Sequence, residues 1–157
     1  AQRSVTIGIA KGDYFDSAPR QLVPLTSQPD AADGKIDTIK VGNLEFAVTQ
    51  LQVPLIVVMG HEACGAIRAA VSVARGETAY SSNVSKVLQS LLPAVLEADP
   101  WAEDLCNAAA LCNVRKVVKE LQKEASPALL DPQAEGRLLV VGAYYHLDSG
   151  RVVFLDQ

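Results

Sequence analysis

Hydrophobic positions along the chain follow two different periods, and the change between them marks its central unit. Residues 55–59 form a short, wholly apolar run that ends at a glycine, which is typical of a strand buried on both faces in a parallel sheet. Apolar residues then recur at helical spacing until Gly76: Ala66, Ile67, Ala70, Val71 and Ala74. The pattern therefore predicts a strand, a turn that holds His61 and Cys64, and a helix.

Similar patterns predict the elements on either side of this unit. Residues 5–10 are a short β-branched run that we expect to be a first parallel strand, and residues 21–26 could form a shorter strand interrupted by Pro24. Apolar residues at three- and four-residue steps predict a helix of about ten residues from Val41, and two longer helices. The predicted later elements are helices over 81–96 and 101–123, a connection over 127–136, and strands over 138–147 and 151–155. The turn signal between the last two strands predicts a β-hairpin.

Composition and charge restrict the classes of function. The chain has 157 residues, 49% of them hydrophobic and 20% charged, which is the composition of an ordinary globular protein, and we expect one domain over 1–157. A net charge of −4 without a basic cluster argues against nucleic-acid binding, and no apolar run approaches the roughly 20 residues of a membrane span. Three cysteines and no visible leader peptide make the cytoplasm the expected compartment.

The candidate chemistry lies in the turn between the predicted strand and helix. Imidazole nitrogen and thiolate sulfur are both zinc ligands, and His61 and Cys64 are close enough in sequence to face one point. The helix amino terminus would favour the thiolate form of Cys64. Two ligands do not make a site, so the alternative is a buried cysteine beside a hydrogen-bonded turn histidine.

This strand, the His-x-x-Cys-Gly turn and the helix resemble the β-class carbonic anhydrases. The similarity extends to the family's Ser-Leu-Glu-Tyr-Ala-Val helix, its Asn-Val-Arg helix and its closing hairpin. The corresponding segments here are residues 42–48, 54–65, 113–115, 141–145 and 148–150. They occur in the family's order and spacing from residue 42 to the end of the chain.

The resemblance implies an α/β fold: a twisted, mainly parallel β-sheet flanked by helices, with a C-terminal antiparallel hairpin. It implies a zinc ion held by Cys, His and Cys, and reversible hydration of carbon dioxide to bicarbonate by zinc-bound hydroxide. It also implies a homodimer or a higher even oligomer. His61 and Cys64 occupy two of the three ligand positions of the family's motif.

The chain departs from the family near its front. The family's first strand ends in Cys-x-Asp-x-Arg, which supplies a zinc ligand and an Asp-Arg pair beside the metal-bound water, but no cysteine precedes Cys64 here. The segment after the first strand is expected at the same sheet edge as His61. Asp16 and Arg20 keep the residue types of the pair with two residues inserted, whereas Asp13 keeps the distance from the strand. The family's amino-terminal arm also has no counterpart, which implies an altered dimer or a chain trimmed at its front.

No other residue is an obvious third ligand. Cys106 and Cys112 lie six apart in a helical pattern and are expected to pack in the interior, and His146 is expected at a surface or interface. Glu62 is expected to be a solvated turn residue, and an oxygen of Asp13 or Asp16 could ligate zinc. Two functions therefore remain open. One is a carbonic anhydrase, or a hydrolase of a similar molecule such as carbonyl sulfide or carbon disulfide; the other is a non-catalytic subunit that retains the fold.

Overall fold

A computed structural model describes residues 6–10, 23–26, 38–123 and 125–156. The strands are β1 (Thr6–Ala10), β2 (Val23–Thr26), β3 (Leu55–His61), β4 (Leu139–Tyr145) and β5 (Val152–Phe154). The helices are α1 (Thr38–Thr49), α2 (Gly65–Ala74), α3 (Ser82–Glu97), α4 (Leu105–Lys123) and α5 (Pro127–Ala134). The α/β class is confirmed, and so is the closing hairpin of β4 and β5.

The five strands form one sheet in the order β2-β1-β3-β4-β5. β3 and β4 are parallel, with Leu55 opposite Leu139 and His61 opposite Tyr145. The remaining three pairs of described strands are antiparallel, including β1 with β3. The expectation of a parallel first strand is therefore wrong, and the sheet is mixed rather than mainly parallel. A short apolar run encodes burial in a sheet but carries no information on strand direction. The proline of β2 lies on an edge strand, where a missing backbone donor costs least.

The helices cover this sheet through two clusters of buried side chains. The first cluster joins β3 and β4 to α1, α4 and α5, and Leu44, Ile56 and Leu129 are fully buried in it. The second cluster packs α2, α3 and α4 together around Ile67 and also buries Tyr144 of β4. Because α4 contributes to both clusters, it fixes α2 relative to the central strands.

Helix α4 starts later than its apolar pattern predicts. Trp101 lies in a turn before the helix and is 91% exposed. Its backbone N–H donates to Oδ1 of Asp99 at 2.9 Å. The side chain of Asp104 accepts the N–H of Asn107 at 3.0 Å, which is the contact an N-cap residue makes. The helix therefore begins at Leu105, four residues after the predicted start.

The predicted connection after α4 is partly helical, because Pro127–Ala134 forms α5. Proline at the first helical position is favourable, since its missing N–H would have had no partner there. Ser126, just before the helix, donates a side-chain hydrogen bond to the carboxylate of Glu45 in α1. A second proline at position 132 conceals this helix in the sequence, because proline usually ends a helical pattern.

Across the part of the chain that the structure describes, no helix is both long enough and apolar enough to cross a membrane.

Candidate metal centre

His61 is the last residue of β3, whereas the sequence pattern predicted it in the turn that follows the strand. Its Nδ1 lies 2.8 Å from the carbonyl oxygen of Glu62. A carbonyl can only accept a hydrogen bond, so Nδ1 carries the proton in this contact. In the neutral ring the lone pair is then on Nε2, the atom that would face a metal. The turn thereby fixes the tautomer that a metal-ligating histidine requires.

The residue just before Cys64 has an unusual backbone conformation. Ala63 has a φ of 50°, in the left-handed region that non-glycine residues rarely occupy. Cys64 is the N-cap residue of α2 and is 2% exposed, within the cluster that includes Ile67. Its thiol therefore lies at the amino end of this helix. Backbone strain such as that at Ala63 is typical of turns in functional sites.

The described residues bring no third metal-ligating side chain into a group with His61 and Cys64. Burial raises the pKa of the Cys106 and Cys112 thiols, and nearby carboxylates raise both further. Both cysteines are half-buried against the helical cluster, which agrees with the prediction that they pack in the interior. Protonated thiols are poor ligands for zinc.

The direction of β1 changes the expected position of the segment that follows it. Ala10, its last residue, lies opposite Leu55 at the start of β3, so β1 ends at the sheet edge opposite His61. The expectation that it ends beside His61 is therefore wrong. Asp13, Asp16 and Arg20 lie outside the described residues, and their assignment stays a prediction.

Tyr144, on β4, is held by a contact that the sequence did not indicate. Its hydroxyl donates to Oδ1 of Asn107 in α4 at 2.7 Å, and the residue is 6% exposed. Burial raises the pKa of Tyr144 to about 12, with smaller contributions from the carboxylates of Glu62 and Asp104. The phenol is therefore a neutral donor that ties the sheet to α4, in agreement with the expected packing role.

Glu62 has a structural role that its predicted place in a solvated turn does not explain. Its N–H donates to the carbonyl oxygen of Tyr145 at 2.9 Å, and its Oε2 accepts the N–H of Leu147 at 3.1 Å. The turn after β3 is thus tied to the hairpin after β4. The pairing partner lies 85 residues away in sequence, so no local pattern could have revealed it.

Comparison with known proteins agrees with this arrangement of strand, turn and helix. The sequence pattern of the carbonic anhydrase family matches residues 22–152. The chain belongs to the β-carbonic anhydrase family. Carbonic anhydrase 2 of Mycobacterium tuberculosis is 36% identical over 121 residues, which are 77% of this chain and 58% of that protein. The carbonic anhydrase of Mycolicibacterium smegmatis is 35% identical over 117 residues, covering 74% and 56% of the two chains.

Solved β-carbonic anhydrases share the fold. A tetrameric β-carbonic anhydrase of the ascomycete Sordaria macrospora superposes with a TM-score of 0.66 at 26% identity, covering 77% of this chain and 61% of its own. The chain thus spans about three-fifths of the length of the curated relatives it matches.

Proposed function

We propose that this protein catalyses the reversible hydration of carbon dioxide to bicarbonate, with release of a proton. The observation that carries the proposal is the turn after β3, where His61 has its proton fixed on Nδ1 and Cys64 is the N-cap residue of α2. Its relatives' names support the same activity, since those of M. tuberculosis and M. smegmatis are carbonic anhydrases. A related hydrolysis, of carbonyl sulfide or carbon disulfide, would use the same turn. Assays with each of the three substrates distinguish these activities.

The donor chemistry of the turn fits zinc. Nε2 of His61 and Sγ of Cys64 would be two of its ligands, and a zinc ion would supply the Lewis acid that makes water a nucleophile at neutral pH. The chain's own residues do the positioning. The bond from His61 Nδ1 to the Glu62 carbonyl prevents ring rotation, and the N-cap position holds Cys64 at the amino end of α2.

The third ligand is proposed from the segment between β1 and β2. Both ends of that segment lie at the sheet edge away from His61, so it would have to extend back along β3 for an oxygen of Asp16 or Asp13 to complete the set. Arg20 would then pair with the carboxylate that orients the reacting water. This proposal follows from the departure from the family's Cys-x-Asp-x-Arg motif, since no cysteine precedes Cys64. An oxygen ligand in place of sulfur would leave more positive charge on the ion.

A second candidate function is a non-catalytic subunit with the same fold. It is favoured by one observation: no cysteine precedes Cys64 in the sequence, so one thiolate of the family's Cys, His and Cys ligand set has no counterpart here. Two protein ligands hold zinc weakly, so such a chain could fold without metal.

We also propose that the chain assembles as a homodimer or a higher even oligomer. The tetrameric state of the Sordaria macrospora β-carbonic anhydrases supports this. The edge strand β5 also exposes Val152, Val153 and Phe154, the last to 61%. An exposed apolar edge strand is a surface that other proteins cover by pairing. Sedimentation at micromolar concentration tests the assembly, and a monomer would contradict it.

Zinc content and hydration, measured on the same preparation, test the enzymatic proposal. The protein is purified without added metal and under reducing conditions, because we propose a cytoplasmic location and three free cysteines are present in the structure. We expect near-stoichiometric zinc and rapid stopped-flow hydration of carbon dioxide. Cys64→Ser should lose both, while Cys112→Ser, a matched thiol substitution, should lose neither. Metal-free, folded and inactive wild-type protein would favour the non-catalytic subunit.

Two further variants test the proposed third ligand. Asp16→Asn and Asp13→Asn are compared for zinc content and hydration rate, with the exposed Asp131→Asn of α5 as control. The variant that loses zinc identifies the oxygen ligand. If all three retain zinc, neither aspartate is the ligand.

A further inference from the structure

Three potential metal ligands from two separate segments meet beside the turn after β3. They are Glu62, in that turn, and His146 and Asp148, which follow β4 in the hairpin. One ligand atom from each lies within 4.8 Å of the other two. Neither His61 nor Cys64 belongs to this group. The group is therefore distinct from the candidate zinc ligands, although Glu62 is adjacent to His61 in sequence.

From this geometry we propose a second divalent-metal site, formed by Glu62, His146 and Asp148. One imidazole and two carboxylates form a donor set suited to first-row divalent ions such as Mn²⁺, Co²⁺ and Zn²⁺. Donors around a tetrahedral ion lie about 3.4 Å apart, given ligand distances of about 2.0 to 2.2 Å. The separations between the three ligand atoms therefore need to shorten by at most about 1.4 Å, with water filling the remaining positions.

Two of the three ligands are already positioned by the fold. The backbone N–H of Leu147 holds Oε2 of Glu62 at 3.1 Å, which leaves Oε1 to approach an ion. The ring of His146 lies edge-on to that of Tyr144, with the centroids 5.3 Å apart and the planes at 79°. Asp148 is exposed, and its carboxylate, which accepts a hydrogen bond from Ser149 in the same turn, would reorient to reach the ion. A site with two fixed ligands and one adaptable ligand loses less conformational entropy on binding.

The charges around the group also favour a cation. Tyr144, whose ring contacts that of His146, is a neutral phenol, and the side chain of Glu62 accepts a hydrogen bond from a backbone N–H. Two carboxylates therefore face a single imidazole, and a bound divalent ion would offset their repulsion. Such an ion would link the turn after β3 to the hairpin after β4, which both lie at the carboxyl ends of the parallel pair. Its consequence is to stabilise the turn that carries His61 and Cys64.

The test uses Mn²⁺, an ion that prefers oxygen and nitrogen ligands to thiolates. Binding is followed by the loss of the free-ion electron paramagnetic resonance signal, on protein carrying Cys64→Ser so that the candidate zinc site is impaired. We expect one Mn²⁺ per chain in this background. His146→Gln and Glu62→Gln should each weaken binding about tenfold or more, while the control Asp131→Asn should not.

Thermal unfolding supplies an independent readout. Added Mn²⁺ should raise the unfolding temperature of Cys64→Ser protein but not that of the version that also carries His146→Gln. Binding that is absent in Cys64→Ser yet present in wild-type protein would overturn the proposal, because the ion would then occupy the candidate zinc site. Binding unchanged by His146→Gln would overturn it as well. Neither outcome depends on hydration activity, so failure here is distinguishable from failure of the proposed carbonic anhydrase function.

Discussion

Gly60 and Val114 approach so closely that no side chain fits between them. A Cβ atom added at Gly60 would lie 2.7 Å from Cγ2 of Val114, in the fully buried face where α4 packs on β3. Gly142 of β4 is nearly as close, since its Cβ would meet Cγ1 of the same valine at 3.0 Å. Two glycines on the parallel pair therefore let α4 seat one valine against both strands. The residue after Gly60 is His61, so this contact also sets the position of the metal-centre turn.

Gly60→Ala is expected to destabilise the protein by about 1 to 3 kcal/mol, because packed interiors accommodate an added methyl only by shifting their neighbours. Val114→Ala alone should also destabilise, by opening a cavity. The double variant should lose less than the sum of the two, since the smaller residue at 114 makes room for the methyl group. Urea unfolding of all four proteins measures the coupling.

Gly42→Ala is the matched control. An added Cβ at Gly42 meets nothing within 4 Å and the residue lies inside α1, so this substitution should be neutral or stabilising by up to about 1 kcal/mol. Strict additivity of Gly60→Ala and Val114→Ala would contradict the proposed contact.

The sequence was sufficient to predict some of this arrangement, and the reason differs between elements. The strand β3 and helix α2 follow from a wholly apolar run and a clear helical period, which together also located His61 and Cys64. The direction of β1 did not follow, because a short β-branched run predicts burial in a sheet but not the direction of the strand. The bond between Glu62 and Leu147 could not be predicted, because it depends on the pairing of β3 with β4.

Ala63 provides a prediction about the backbone of the metal-centre turn. Its φ of 50° is costly for alanine but free for glycine, so Ala63→Gly should be neutral or slightly stabilising. Ala63→Val should destabilise by about 1 to 2 kcal/mol, because a β-branched residue is disfavoured there. Thermal and urea unfolding measure both.

The control for this prediction is Ala74→Gly, at the exposed last position of α2. This alanine has an ordinary helical backbone, so glycine there should destabilise by up to about 1 kcal/mol. The decisive observation is that glycine changes the free energy of unfolding in opposite directions at positions 63 and 74. Equal losses at both would mean that the left-handed turn is absent in solution.

The hydrogen bond from Tyr144 to Asn107 predicts a measurable coupling between the sheet and α4. Tyr144→Phe removes a buried donor and leaves Oδ1 of Asn107 without it, at an expected cost of about 1 kcal/mol or slightly more. Asn107→Ala should cost a similar amount, and the double variant should cost clearly less than the sum. Tyr145→Phe, at the neighbouring and half-buried tyrosine, is the control and should change stability little. Independent effects of the two changes at 144 and 107 would contradict the bond.

Cys112 predicts a pH dependence that arises in the helical cluster, away from the candidate metal centre. Burial, and then the charge of Glu97, raise the pKa of this thiol above its ordinary value of 9.0. A group whose folded pKa is raised contributes stability that is fully present below the unfolded pKa and is lost as the pH rises through the folded pKa. The protein should therefore lose stability above about pH 9, and Cys112→Ser should lose less of it. Alkylation of native protein at stepped pH, quantified at each cysteine by mass spectrometry, should show Cys112 reacting at higher pH than it does in denaturant. Identical alkylation profiles in the native and denatured states would show that the thiol is not shielded, and the predicted loss of stability would then have no basis.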